Sequence, residues 1–327
     1  MDKQWRVWLD RPIHPDAFAR LQEEAVVVGP FALPPQADHR DISELPGAHG
    51  MIISSRIRVD DALLTHAGPA LRVVARPGIG VDNIDLAAAT AHRVAVVNTP
   101  DAPTESTAEH TVALILGLAK RVCEVDRQLR SGTFQGIPSM AGTELAGKTL
   151  GLIGLGRIGR RVAEICQVLH MHVLAYDPYV ASSQAAALGV TLVDNLNTLL
   201  ETADVVSLHV PLTSETRGLI DATALRRMKC SAFLVNCSRG GIVDEEALLQ
   251  ALQEGIIAGA ALDVFVSEPP PPDHPLLALP NVIATPHIAS QTDDGRRRMG
   301  LSAVEQTLQV LHGQRPAHLL NPDVWDS

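Results

Sequence analysis

Short apolar runs rich in β-branched residues recur along the chain, each separated from the next by a stretch of helix or loop length. In the first hundred residues they are Arg6 to Leu9, Ala25 to Gly29, Gly50 to Ile53, Arg72 to Ala75 and Val94 to Asn98. Strands alternating with helix-length connections form parallel βαβ units, so this region predicts a small doubly wound sheet of its own. Glu105 to Lys120 breaks the rhythm. Ser106 and Glu109 have the spacing of a capping box, and the residues that follow are apolar nearly all round, which predicts a helix buried against another domain or another subunit. Ser131 to Gly142, with its glycines and Pro138, reads as a linker. From Lys148 the alternation restarts at Leu150 to Ile153, Val173 to Tyr176, Val205 to Val210, Ala232 to Asn236, Ala260 to Phe265 and Val282 to Thr285. These runs suffice for a complete dinucleotide-binding sheet. A helix-like stretch, Gly300 to Leu311, follows them, and Pro269 to Pro272 reads as a rigid surface loop.

The length of 327 residues, set against about 150 residues per domain, leaves room for two cores. A net charge of -10 argues against a broad electropositive face for nucleic acid or anionic lipid. The longest apolar stretches fall short of the roughly 20 residues that span a bilayer, so no membrane partner is expected. Met1 to Asp10 is too polar for a secretory signal, and the expectation is cytoplasmic. Cys123, Cys166, Cys230 and Cys237 form no C-x-x-C pair, so no metal site is expected and all four read as buried thiols.

Gly154-Leu155-Gly156-Arg157-Ile158-Gly159 follows one strand-like run and opens a segment whose apolar residues Ile158, Val162, Ile165 and Leu169 recur at helical spacing. The first glycine permits a tight turn, the second lets backbone approach a pyrophosphate, and the third allows close helix packing at a helix N-terminus that favours an anion. Asp177 ends the next strand, where a carboxylate can accept hydrogen bonds from ribose hydroxyls. No Arg follows it to receive a 2'-phosphate, which points to NAD rather than NADP.

Three further segments each follow a strand: Asn236-Cys237-Ser238-Arg239-Gly240-Gly241, Asp263 to Pro269, and Thr285-Pro286-His287-Ile288. The carboxyl ends of parallel strands converge on one crevice, so Arg239, Glu268 and His287 can meet there. Reduction of a 2-oxo acid needs a guanidinium fork for carboxylate and carbonyl, a proton donor for the developing alkoxide, and a nicotinamide against the carbon. Arg239 and His287 suit the first two roles, and a carboxylate such as Glu268 would orient the imidazole.

Together these residues resemble the D-isomer-specific 2-hydroxyacid dehydrogenase family over about Arg72 to His312. Gly78-Ile79-Gly80-Val81-Asp82-Asn83-Ile84-Asp85 is similar to the family's substrate loop. Asn98-Thr99-Pro100 and Ala108-Glu109-His110 are similar to its crossover, and His209-Val210-Pro211-Leu212-Thr213 to a cofactor-side loop. The resemblance implies Arg239, Glu268 and His287 as the catalytic set, with the substrate held by Ile79, Gly80, Arg239 and His287. It implies that NAD lies along Gly154, Gly156, Arg157, Ile158, Gly159, Asp177, His209, Val210, Pro211, Cys237, Ser238, Arg239, Asp263, His287 and Ser290.

It further implies an α/β fold of two doubly wound parallel-sheet domains. A Rossmann NAD-binding domain at 104–289 would be inserted into a flavodoxin-like substrate domain made of 1–103 and 290–327, with a cleft that closes on the substrate. The helix from Val112 is similar to the family's dimer element, which implies a homodimer. Within the family the cofactor half most resembles short-form phosphoglycerate dehydrogenases, making 3-phosphoglycerate and 3-phosphohydroxypyruvate the nominal pair. Ser54-Ser55, with Arg56 and Arg58 following, stand where that branch carries a phosphate-binding Arg-Ser. Pro77 removes one backbone donor before Gly78. A hydroxypyruvate or glyoxylate reductase needs the same trio and no phosphate site. Outside enzymes, an NAD(H)-sensing corepressor-like binding protein shares the fold, but such proteins carry long disordered extensions that this sequence lacks.

Overall fold

The chain is described by a computed structural model, in which residues 4–29, 41–133, 136 and 141–325 are placed. It divides into two compact units, Met1–Pro103 with Gln291–Ser327, and Thr104–Ser290.

In the first unit the early apolar runs become parallel strands: β1 (Trp5–Leu9), β2 (Ala25–Val28), β3 (Gly50–Ile52), β4 (Val73–Arg76) and β5 (Ala95–Asn98), in the order β2-β1-β3-β4-β5. Helices α1 (Pro15–Gln22), α2 (Asp61–Ala67) and α3 (Leu86–Ala91) connect them. Side chains alternate between the two faces of a strand. Trp5, Val7 and Leu9 therefore join one buried layer while Trp8 joins the other, with Met51, Val74 and Val96.

The second unit opens with α4 (Thr104–Ala119) and α5 (Val122–Ser131). Then come β6 (Thr149–Ile153), α6 (Arg157–Val168), β7 (His172–Tyr176), α7 (Ser182–Ala187), β8 (Thr191–Leu192), α8 (Leu196–Thr202) and β9 (Val205–Leu208). The unit ends with α9 (Ala222–Arg227), β10 (Phe233–Asn236), α10 (Glu245–Gln253), β11 (Gly259–Leu262) and β12 (Val282–Ala284). All pairings are parallel, in the order β12-β11-β10-β9-β6-β7-β8. Chain order reverses between β6 and β9, the switch point beside which doubly wound sheets bind ligands at their carboxyl ends. The two-residue edge strand β8 has no run of its own in the sequence.

Helix α4 differs from its expectation in two ways. It begins at Thr104, so Ser106 lies within the first turn, buried, and does not cap it. Its apolar surface is covered by its own unit: Ala108, Val112, Ile115 and Leu118 share a core with Leu150, Val162 and Val235, and α4 packs on α6, β10, β11 and β12. An all-round apolar helix is what a position between a sheet and a second helix demands. Most of the linker expected at Ser131 to Gly142 lies outside the described residues. Of the four cysteines, Cys166 and Cys237 are buried, but Cys123 and Cys230 are exposed.

The last helix, α11 (Asp293–Leu311), starts earlier than its apolar pattern, because Thr292 caps it by accepting the Gly295 N–H at 2.9 Å. It packs on β3, β4, β5 and α1, where Gly300 leaves room for Ala17. The segment after it covers edge strand β5: the Leu320 N–H donates to Val96 O at 2.8 Å, and buried Asn321 accepts from Val96 N–H at 2.8 Å while donating to Val94 O at 2.9 Å. An unpaired edge would otherwise be open to another chain. Asn321→Ala leaves those backbone groups buried and unsatisfied, and is expected to lower stability by about 1–3 kcal/mol in urea unfolding.

Candidate functional site

The glycine loop owes its shape to close approaches. Gly154 has φ +96°, and a Cβ there would stand 2.5 Å from His209 O. At Gly159 a Cβ would meet Gly154 O at 2.4 Å, so the helix can sit against the turn only as glycine. Gly156 is the N-cap of α6; it carries no side-chain cap, and a Cβ there would meet nothing within 4 Å. The result is a helix N-terminus with an open approach, which is what a pyrophosphate requires. Across the loop, Asp177 accepts from Leu155 N–H at 2.8 Å and from Tyr179 N–H at 2.9 Å. Its carboxylate is thereby fixed, and each oxygen keeps a lone pair for a ribose hydroxyl. These residues fit a dinucleotide.

Val210 packs against Gly154, and Pro211 O accepts from the Thr216 hydroxyl at 2.6 Å. His209 pairs with the Ser207 hydroxyl at 2.9 Å, and burial pulls its imidazole down to about 4, so it is neutral. Arg157 and Ile158 form the first turn of α6, and Ser290 is the last residue of the unit.

Past β10, Asn236 ties down the turn that carries Arg239. It accepts from Ser238 N–H at 3.0 Å and donates to Arg239 O at 2.9 Å, while the Ser238 hydroxyl reaches Leu208 O at 2.5 Å. Arg239 Nη1 donates to Ser238 O at 2.7 Å. Burial pushes the neighbouring Cys237 thiol up to about 12, so it stays protonated.

Glu268 Oε2 lies 2.7 Å from His287 Nδ1, and its Oε1 accepts from Phe265 N–H at 3.2 Å. Desolvation alone would raise the Glu268 carboxyl. The hydrogen bond and charge of His287, the Phe265 N–H and the charge of Arg239 outweigh it and hold the group below its ordinary value, so the carboxylate stays ionised. The three candidate catalytic residues thus share one electrostatic neighbourhood.

His287 adopts φ +56°, a left-handed conformation that costs a non-glycine residue about 1–2 kcal/mol. Asp263 supports it. Fully buried, Asp263 accepts from the Thr285 hydroxyl at 2.6 Å, Ile288 N–H at 2.9 Å and Ala289 N–H at 2.9 Å, and its backbone carbonyl accepts from His287 N–H at 2.7 Å. His110, on α4, reaches Thr285 Oγ1 at 3.2 Å. Desolvation pushes the Asp263 carboxyl up, but these donors together hold it below its ordinary value. The carboxylate read from the sequence as lining NAD therefore has its oxygens turned to the loop that carries His287. Sequence pattern does not reveal the supporting roles of Asn236 and His110, although both stand in segments that it singles out.

In the first unit, the 77–80 loop is pinned by Thr99 and Asn98. Gly78 N–H donates to Thr99 Oγ1 at 2.8 Å, Thr99 N–H to Gly78 O at 3.0 Å, and Asn98 Nδ2 to Ile79 O at 2.8 Å. Among the described residues, the N–H groups of Ile79 and Gly80 have no acceptor within the protein. The Arg76 guanidinium lies over Gly78 and donates to Pro77 O.

At the ends of β1 and β3, buried Asp10 accepts from both the N–H and the hydroxyl of Ser54, and burial pushes its carboxyl up despite Ser54, Arg11 and Arg76. Arg11 and Arg56 repel each other, and neither side chain makes a hydrogen bond or ion pair among the described residues. No cluster able to hold a metal and no helix long and apolar enough to cross a membrane occurs among the described residues.

A doubly wound sheet with a glycine turn, an acid after the second strand and an Arg, Glu and His set past later strands defines a dinucleotide-binding α/β protein. Residues 112–289 match the family model described as D-isomer specific 2-hydroxyacid dehydrogenase, NAD binding domain. The chain is 46% identical to D-3-phosphoglycerate dehydrogenase of Archaeoglobus fulgidus over 83% of its own length and 51% of that protein. It is 41% identical to glyoxylate reductase of Aeropyrum pernix over 98% of its length and 97% of that protein. Among solved structures, TT0316 protein from Thermus thermophilus superposes with a TM-score of 0.87 at 39% identity, covering 96% of this chain and 99% of that one. This chain belongs to the D-isomer specific 2-hydroxyacid dehydrogenase family, and 112–289 is its NAD-binding domain. It spans about half the length of the phosphoglycerate dehydrogenases it matches.

Because Asp263 titrates below its unfolded value, its contribution to stability is present above about pH 4 and is lost as the pH falls through the lower folded-state value. Asp263→Asn is expected to cost about 2 kcal/mol at neutral pH and to flatten the acid limb of a stability-against-pH curve measured by urea unfolding.

Proposed function

We propose that this protein is an NAD-dependent oxidoreductase that interconverts a D-2-hydroxy acid and its 2-oxo acid, nominally 3-phosphoglycerate and 3-phosphohydroxypyruvate. The Glu268 to His287 pair at 2.7 Å carries the reading. With Nδ1 committed to Glu268, the imidazole has Nε2 left to give a proton to, or take one from, the substrate oxygen, and the ionised carboxylate favours the charged ring. Bound NADH supplies the hydride. Arg239 offers the guanidinium fork for carboxylate and carbonyl oxygen, and the free N–H groups of Ile79 and Gly80 suit a carboxylate.

The guanidinium groups of Arg11 and Arg56, without ion pairs of their own, suit a phosphate and favour the phosphorylated acid. The buried Asp10 to Ser54 pair favours the second reading, a hydroxypyruvate or glyoxylate reductase, because a carboxylate stands where a phosphate would otherwise gain a cation. We place the protein in the cytoplasm. We expect a homodimer, since α5 buries none of its residues and exposes Val122 and Leu129.

NADH oxidation followed with a panel of phosphorylated and unphosphorylated 2-oxo acids tests the activity. Preference for 3-phosphohydroxypyruvate supports the first reading and preference for glyoxylate or hydroxypyruvate the second, while tight NADH binding with no turnover points to the sensing role. His287→Gln is expected to lower kcat by about two to four orders of magnitude with NADH affinity unchanged; a wild-type rate would remove His287 from the mechanism. Asp177→Ala is expected to shift the ratio of kcat/KM values toward NADPH, and an unchanged ratio would deny Asp177 its role in cofactor choice.

A further inference from the structure

Glu245 stands in the first turn of α10, yet it does not cap that helix. Asp244 is the N-cap, accepting from the N–H groups of Glu246 and Ala247 at 3.1 Å each. The Glu245 carboxylate turns instead to the loop after β11. Its Oε1 accepts from Val266 N–H at 2.7 Å, and its Oε2 lies 3.3 Å from His274 Nε2. A carboxylate only accepts, so the His274 ring donates. That ring also stands edge-on to Phe265, with centroids 5.5 Å apart, and both members of the pair are largely buried. The helix N-terminus favours the negative charge at this place.

The peptide that Glu245 holds, 265–266, adjoins the one whose N–H orients a candidate catalytic group, with Phe265 common to both. Phe265 N–H orients Glu268, and Glu268 orients His287. On the other side, a Cβ on Gly240 would stand 2.0 Å from Phe265 O and 2.6 Å from Val266 N, so the residue after Arg239 is pressed against the same peptide. We infer that Glu245 and His274 are a positioning pair: by fixing the 265–266 peptide they set Glu268 against His287 and register the Arg239 turn beside them. Neither residue touches the reacting atoms. The inference rests on the oxidoreductase reading for its catalytic consequence, but the placement of Glu268 against His287 can be measured without it.

The test compares Glu245→Ala, Glu245→Gln and His274→Phe in the full-length protein, with Glu268→Gln as the reference for an unpaired His287. Misplacing a catalytic group by an ångström can cost about a hundredfold, so Glu245→Ala is expected to lower kcat by about 10–100-fold with KM for NADH unchanged. Glu245→Gln, whose amide oxygen still accepts from Val266 N–H, is expected to recover most of the rate. His274→Phe keeps the ring on Phe265, loses the hydrogen bond and should fall between the two.

In nitrogen NMR of the protein without substrate, the His287 ring resonances of Glu245→Ala should move toward those of Glu268→Gln. Unmoved resonances overturn the inference, whatever the rate. So does a rate loss that Gln does not recover and that NADH affinity shares, since that marks general structural support. A wild-type protein that turns over no 2-oxo acid refutes the oxidoreductase reading alone, and the resonances still decide the positioning role.

Discussion

Asp263 is the point on which the candidate site of the second unit hangs. A carboxylate without solvent exposure is tolerated only if it is hydrogen-bonded or paired, and this one is surrounded by a hydroxyl and two backbone N–H groups, with an imidazole nearby. All of them belong to α4 or to residues 285–289. The same contacts that make its burial possible therefore hold His287 in a left-handed conformation that an isolated chain would leave. Stability and site geometry are here one set of hydrogen bonds.

A second constraint is spatial. At Gly154, Gly159 and Gly240 the place of a side chain is taken by backbone of a neighbouring segment. Two of these glycines shape the nucleotide turn and the third presses the Arg239 turn onto the 265–266 peptide. Close packing of this kind transmits position: a loop that has one permitted place relative to its neighbour carries its side chains to one place as well. The helices and strands supply the scaffold, but glycine contacts and buried carboxylates register the loops that bear the candidate residues.

The first unit is built on the same principle with different electrostatics. The carboxyl end of its sheet brings together Asp10, Arg11, Arg56 and Arg76, and the charges are unevenly satisfied: Asp10 is buried on Ser54, whereas Arg11 and Arg56 make no ion pair among the described residues. Like charges side by side are unfavourable unless an anion joins them, which is why this end of the sheet bears on the choice between the two substrate readings.

The sequence by itself determined the parallel α/β fold and the glycine turn, and it singled out Asp177, Arg239, Glu268 and His287 as candidates. Each of these rests on local information: β-branched runs at regular spacing, glycines where backbone must bend or touch, and chemistry-bearing residues just past the strands. Tertiary structure decided what local pattern cannot carry. It buried α4 within its own unit, because an apolar helix does not state what covers it. It left Cys123 and Cys230 exposed, added the short edge strand β8, and turned the Asp263 side chain toward the His287 loop. It joined Asp10 to Ser54 across 44 residues and Glu245 to His274 across 29. Hydrogen bonds between residues so far apart in sequence exist only once the sheet has brought their loops together, since the chain entropy they must overcome is offset by the burial of the whole core and not by any segment alone.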